Sequence, residues 1–176
     1  MPNPIRMSLF VAAALLAGTE ASAQQPAQPA PVPDAMPFDV PYGPSITAAR
    51  AAQVVQAVIA EATRSPRSWK LAIAVVDPNG ELVYFYKMDQ TQFASIGIAQ
   101  GKARTAVRFR RPTQTFFDLM QTPAGAYYTT LDPSLVASPG GVPIVEGGRI
   151  IGALGCSGAT GAQDHVACSA GAATIK

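Results

Sequence analysis

Residues 71–88 read LAIAVVDPNGELVYFYKM, and this stretch decides the fold. Leu71 to Asp77 is an almost unbroken apolar run, short enough for a buried strand. Asp77-Pro78-Asn79-Gly80 is a turn, and Asn-Gly suits the left-handed backbone of a tight hairpin. Glu81 to Met88 is the returning strand. One of its faces carries Leu82, Tyr84, Tyr86 and Met88, the other Val83, Phe85 and Lys87. Apolar groups on both faces predict cover on both sides, by helices or by another subunit.

The same grammar recurs downstream. Val142 to Glu146, Gly147-Gly148 and Arg149 to Cys156 form a second hairpin. The tract 140–161 holds eight glycines, which implies tight turns and close backbone approach. Helical spacing surrounds the hairpins. Ser45 or Thr47 caps a first helix carrying Ile46, Val54, Val55, Val58, Ile59 and Ala62, which Pro66 ends. A second helix covers 94–110, a short one covers Thr115 to Gln121, and a last one runs from Gly161 or Ala162 to about Ala173. The span from Thr122 to Pro139 lacks a period and reads as loop. Paired hairpins between helices predict an α+β fold, a single domain with an antiparallel sheet flanked by helices.

The N-terminal part is a different material. Arg6, the apolar stretch Met7 to Gly18 and Ala21-Ser22-Ala23 have the layout of a secretory signal over residues 1–23. Residues 24–44 hold seven prolines and read as an extended, disordered tether. The folded domain is expected at 45–176, in a periplasmic or secreted protein with no stable membrane insertion after cleavage. With 176 residues, 13 Lys+Arg against 11 Asp+Glu, and one His, several classes fall away. A net charge of +2 gives no footprint for nucleic acid. One histidine excludes sites that need two imidazoles from one chain. Two cysteines exclude a cysteine-only zinc site. Cys156 and Cys168 are compatible with a disulfide after export or with two buried thiols, and both readings stay open.

The 94–110 helix concentrates the candidate chemistry. Ile96, Ile98, Ala99, Ala103, Ala106, Val107 and Phe109 share one arc, and Gln100, Arg104, Arg108 and Arg111 lie opposite. Lys102 falls inside the apolar arc and Thr105 at its edge. A buried ammonium needs a partner. Lys102 therefore pairs internally with Asp77 or Asp89, snorkels to water, or faces a ligand. The cluster Arg104, Arg108, Arg110 and Arg111 reads as a solvated face or an anion site. His165, beside Asp164 at the start of the last helix, reads as a capping or exposed residue, or as an axial metal or haem ligand. Tyr127, Tyr128 and Met88 are weaker ligand candidates. The glycine tract matches neither a phosphate loop nor a dinucleotide fingerprint.

Taken together these motifs resemble the GlcG/HbpS-type haem-binding proteins, a family also seen as the C-terminal domain of some cobalamin adenosyltransferases. The pattern is Ala74-Val75-Val76-Asp77-x-x-Gly80-x-Leu82, Met88-Asp89, Ala99-x-x-Lys102-Ala103-x-Thr105-Ala106, Pro139-Gly140-Gly141-Val142-Pro143-Ile144, Gly152-Ala153-Leu154-Gly155-x-Ser157-Gly158-Ala159 and Gln163-Asp164. The resemblance implies a profilin-like fold, a homo-oligomer, often an octamer, and haem as a cofactor. Lys102, Thr105 and Asp164 match the family pattern. His165 and the cysteines depart from it. The expectation is an exported oligomeric haem- or tetrapyrrole-binding protein, with Lys102, Arg104, Thr105, Asp164 and His165 around the ligand and His165 as the metal ligand. The alternatives are an enzyme or binding protein for a small organic acid, and a structural accessory oligomer.

Overall fold

The computed structural model describes residue 36 and residues 38–64 and 66–176. The expected signal at 1–23 and the first part of the expected tether lie outside the described residues. The elements run α1 (Ala48–Thr63), β1 (Ala72–Val76), β2 (Leu82–Lys87), α2 (Ala94–Arg108), α3 (Thr113–Met120), α4 (Gly125–Leu131), β3 (Gly141–Glu146), β4 (Arg149–Ser157) and α5 (Gly161–Ala172). The four strands form one sheet in the order β2-β1-β4-β3, and every pairing between them is antiparallel. The α+β expectation holds.

Local chemistry explains the boundaries. In the first hairpin Asp77 Oδ1 accepts from the amides of Asn79 and Glu81, both at 2.9 Å, and Gly80 takes φ 88°. In the second, Gly147 and Gly148 both sit at positive φ, 53° and 75°, as a two-residue hairpin turn requires. Thr47 caps α1 by accepting from the Arg50 amide. Thr160 and Gln163 close a capping box at the start of α5.

Strand alternation sorts the core into two layers. Ile73, Val75, Leu154 and Cys156 point to one face, where α1 and α5 lay down Val54, Val55, Val58, Ala167 and Cys168. Ala72, Ala74, Val76 and Ala153 point to the other, against Ala99, Ala103, Ala106 and Val107 of α2. The α2 side is lined with the smaller residues, so that helix lies almost on the backbone of the sheet. A Cβ on Gly155 would stand 1.9 Å from the Ala99 carbonyl oxygen.

Three expectations need correction, and one is met only in part. The span 122–139 contains a helix, α4, held by edge-on contacts of Tyr128 with Phe116 and Tyr127. The apolar arc of α2 is narrower than its composition suggests. Close seating on Gly155 buries Ser95, Ala99, Lys102, Ala103 and Ala106, and leaves Ile98 37% exposed. Within one chain strand β2 is only half covered, with Leu82 44% and Tyr86 40% exposed, so of the two expected kinds of cover the helices supply only part. The described end of the proline-rich stretch is a strap rather than a free tether. The Ile150 amide donates to Pro41 O and the Gly43 amide to Ile150 O, both at 2.8 Å, and the Tyr42 hydroxyl donates to Val107 O at 2.9 Å.

Candidate functional site

Lys102 leaves α2 beside two glycines at the start of β3. They are Gly140, at φ 119°, and Gly141. A Cβ on Gly140 would lie 3.1 Å from Lys102 Nζ and 2.8 Å from Asp164 Cβ. One on Gly141 would lie 2.4 Å from the Lys102 carbonyl oxygen. These glycines open a passage from the α2 layer to the start of α5. Through it Lys102 Nζ donates to Asp164 Oδ2 at 2.8 Å and to the Cys156 carbonyl at 2.9 Å. Asp164 Oδ1 accepts from the Ala159 amide at 3.0 Å. The Lys102 side chain is 1% exposed and that of Asp164 3%.

The need for a partner was legible in the sequence, and the partner is Asp164. Asp77 is committed to its own turn, and Asp89 is exposed. Burial pushes the Lys102 ammonium below its ordinary range and the Asp164 carboxyl above its own. The mutual hydrogen bond and charge attraction oppose both shifts. Thr105, 2% exposed, accepts the Val136 amide at 3.0 Å and pins the segment after α4 to α2. Thr113, which sequence reasoning missed, donates to Ser138 O at 2.6 Å and accepts from the Gly141 amide at 2.8 Å. It closes the base of the α3–α4 excursion. A lone buried threonine after a proline carries no sequence signal for that task.

The disulfide alternative is the one realised: Cys156 and Cys168 are bridged, with Cα atoms 5.8 Å apart. The bridge joins β4 to α5, and the loop it closes contains Ala159 and Asp164. It therefore fixes the segment that presents the carboxylate to Lys102.

The other site residues lie elsewhere. Arg104 donates Nε–H to Gly80 O at 3.2 Å, on the α2 side of the sheet and at the first hairpin turn. His165 is carried by α5, which packs on the opposite face. Its ring is half-buried. Nε2 is 3.5 Å from the Ser169 hydroxyl, and Nδ1 is buried with no partner. Within one chain the fold thus brings Lys102 and Asp164 together and places Arg104 and His165 apart. Among the described residues no group of three or more His, Cys, Asp or Glu could hold a metal ion, and no helix is long and apolar enough to cross a membrane. Met88 is buried and donates nothing to a site: its Sδ accepts the Leu71 amide. Tyr127 is 61% exposed on α4.

A family model described as "Haem degrading protein HbpS-like" matches residues 46–173. Protein GlcG of Escherichia coli strain K12 is 38% identical over 107 residues, covering 60% of this chain and 78% of that protein. The crystal structure of HbpS superposes with a TM-score of 0.67 at 26% identity, covering 81% of this chain and 98% of that one. The structure of a PduOC:Heme complex gives 0.67 at 25% identity, covering 75% and 96%.

Proposed function

This chain belongs to the HbpS-like family, and on that premise we propose that it binds haem. The observation that carries the reading is the match of the family model to residues 46–173, from just before α1 through the end of α5. The solved PduOC:Heme complex, alike in fold over 75% of this chain, supports it.

The residues present fit one haem ligand per chain. His165 is the single imidazole. Its Nδ1 has no partner and its Nε2 only a long contact to Ser169, so no strong hydrogen bond ties the ring in place. Bound haem would supply an iron centre, and His165 is the residue of this chain suited to ligate it. Lys102 and Asp164 do not fit that role. Their charges are spent on each other behind the glycine passage, out of reach of a ligand. The same burial argues against Lys102 as an acid or base for a small organic acid.

The reading includes export and self-association. The layout of residues 1–23 supports export, as does a disulfide inside the domain, which persists in oxidising compartments. Self-association is supported by the outer edge of β2, its exposed Leu82 and Tyr86, and Phe93, which is 87% exposed. Assembly would also allow residues that lie apart in one chain to meet across an interface.

Titration of the purified haem-free protein with hemin tests the proposal. A saturable Soret shift is expected, and a spectrum identical to free hemin refutes it. His165→Ala is expected to move the Soret position of the complex, and an unchanged spectrum removes His165 as the ligand. Light scattering reports the assembly, and a monomer refutes that part.

A further inference from the structure

Beside the strap lies an open cleft of about 410 Å³ that the haem reading does not use. Its walls come from three separate elements: Tyr42, Gly43 and Ser45 of the strap, Pro78 and Asn79 of the first hairpin turn, and Arg108 of α2. We infer that this cleft binds a small organic carboxylate.

Guanidinium groups gather here for identifiable reasons. Gly80 has no side chain, and a Cβ there would stand 3.8 Å from Arg104 Cγ and 3.9 Å from Arg108 Nε, so both arginines lie against the turn. Arg110 has φ 55°, a left-handed conformation that non-glycine residues seldom adopt. That turn of the chain aims its guanidinium at Tyr42, 5.8 Å from the ring centre and 3.4 Å from Val40 O. Arg108 thus lines the cleft itself, while Arg104 lies against the same turn and Arg110 against Tyr42, one of the lining residues.

One feature that would repel an anion is muted. The cleft adjoins the C-terminal end of α2, where free carbonyls carry negative potential. Those carbonyls are occupied: Val107 O accepts the Tyr42 hydroxyl and the Arg110 amide, and Ala106 O accepts the Arg111 amide. The acids of the first turn, Asp77, whose Oδ1 holds two backbone amides, and exposed Glu81, do not line the cleft.

A carboxylate already occupies part of Arg108. Its Nη1 donates to Asp132 Oδ2 at 3.2 Å and to Ser134 Oγ at 2.9 Å, and both side chains of the ion pair are partly exposed. Asp132 shows which chemistry Arg108 accepts, and the remaining guanidinium N–H groups offer the fork that a second carboxylate takes. The Tyr42 and Pro78 rings supply apolar contact for the body of such a ligand. The class is therefore an organic acid with a flat or apolar body, in preference to inorganic phosphate. This inference is independent of haem.

The test is an NMR titration of the haem-free full chain with benzoate, its neutral isostere benzamide, and inorganic phosphate. Benzoate is expected to shift the Gly43 and Asn79 amides saturably, with benzamide and phosphate much weaker. Arg108→Gln is expected to weaken benzoate by about tenfold or more, the worth of a charged hydrogen-bond pair. Asp132→Asn frees Arg108 and is expected to tighten benzoate. Damage to the fold would weaken both variants, so the opposite signs separate recognition from disruption. Absence of benzoate shifts, equal binding of phosphate or benzamide, or weakening by Asp132→Asn overturns the inference.

Discussion

Replacing Lys102 by methionine should destabilise the protein severely, and the size of the effect follows from what the residue leaves behind. At 2.8 Å and an effective dielectric of about 20, the gross attraction between Lys102 and Asp164 is about 6 kcal/mol. Desolvating the two ions costs several kcal/mol each, so the intact pair contributes little net stability. Removing one partner is different. Lys102→Met strands the Asp164 carboxylate behind the glycine passage with only the Ala159 amide as a donor. A stranded buried charge costs about 3–5 kcal/mol. For a domain of this size that is a fall of roughly 10–15 °C in Tm. The double variant Lys102→Met, Asp164→Leu removes both charges and should recover most of the loss. Urea and thermal unfolding by circular dichroism on the four proteins of the cycle give the coupling energy directly. A Lys102→Met protein within about 1 kcal/mol of wild type, or a double variant no more stable than the worse single one, would refute this account.

The remaining predictions probe the same architecture. Burial raises the folded-state pKa of Asp164, so folding favours its protonated form. The contribution of that shift is full below the ordinary aspartate range and is lost as pH rises through the raised value. Measured by urea unfolding against Asp164→Asn, wild-type stability should therefore decline relative to the variant as pH rises from about 4 toward neutrality, and parallel curves would contradict it. Gly155→Ala drives a Cβ into the Ala99 carbonyl and should cost more than about 3 kcal/mol. Gly97→Ala, on α2 with nothing within 4 Å, should stabilise by about 0.5–1 kcal/mol. Equal urea midpoints for these two variants would discredit the close seating of α2. Cys156→Ala with Cys168→Ala opens a short loop and should lower stability by about 3 kcal/mol. An unshifted urea midpoint in that double variant would count against the brace.

Much of the fold is written locally. Asp77-Pro78-Asn79-Gly80 and Gly147-Gly148 dictate their turns by backbone chemistry, and the alternation in β1 assigns its side chains to the two layers before any partner is known. The α4 helix is not written that way. Its sequence, Gly125–Leu131, starts on glycine, lacks a side-chain cap and is rich in Tyr and Thr. Packing of Tyr128 on Phe116 supplies what propensity withholds. The strap escaped for a related reason. Proline-rich composition predicts extension correctly, but docking on β4 uses the backbone groups of Pro41 and Gly43, which composition does not report. For the site, a lysine on an apolar arc announces that a partner exists. It does not say which acid, because the partner lies 62 residues away across a passage that only Gly140 and Gly141 open.

That placement changes how the family-like motif is to be understood. Lys102, Thr105, Gly140, Gly141 and Asp164 look, as a string, like a ligand set. In three dimensions Lys102 and Asp164 are an internal ion pair, Thr105 is a backbone anchor, and the glycines make room for both. The motif thus specifies architecture: it ties α2, the start of β3 and the start of α5 into one rigid corner. On the proposed haem reading, ligation then falls to a residue outside the motif. His165 rides on the helix that the corner fixes, next to Asp164 in sequence. The disulfide to Cys168, three residues beyond His165, holds the other side of that helical turn. The corner fixes the start of α5, so on the proposed haem reading His165→Ala, rather than any substitution within the corner, is the variant that separates haem recognition from folding.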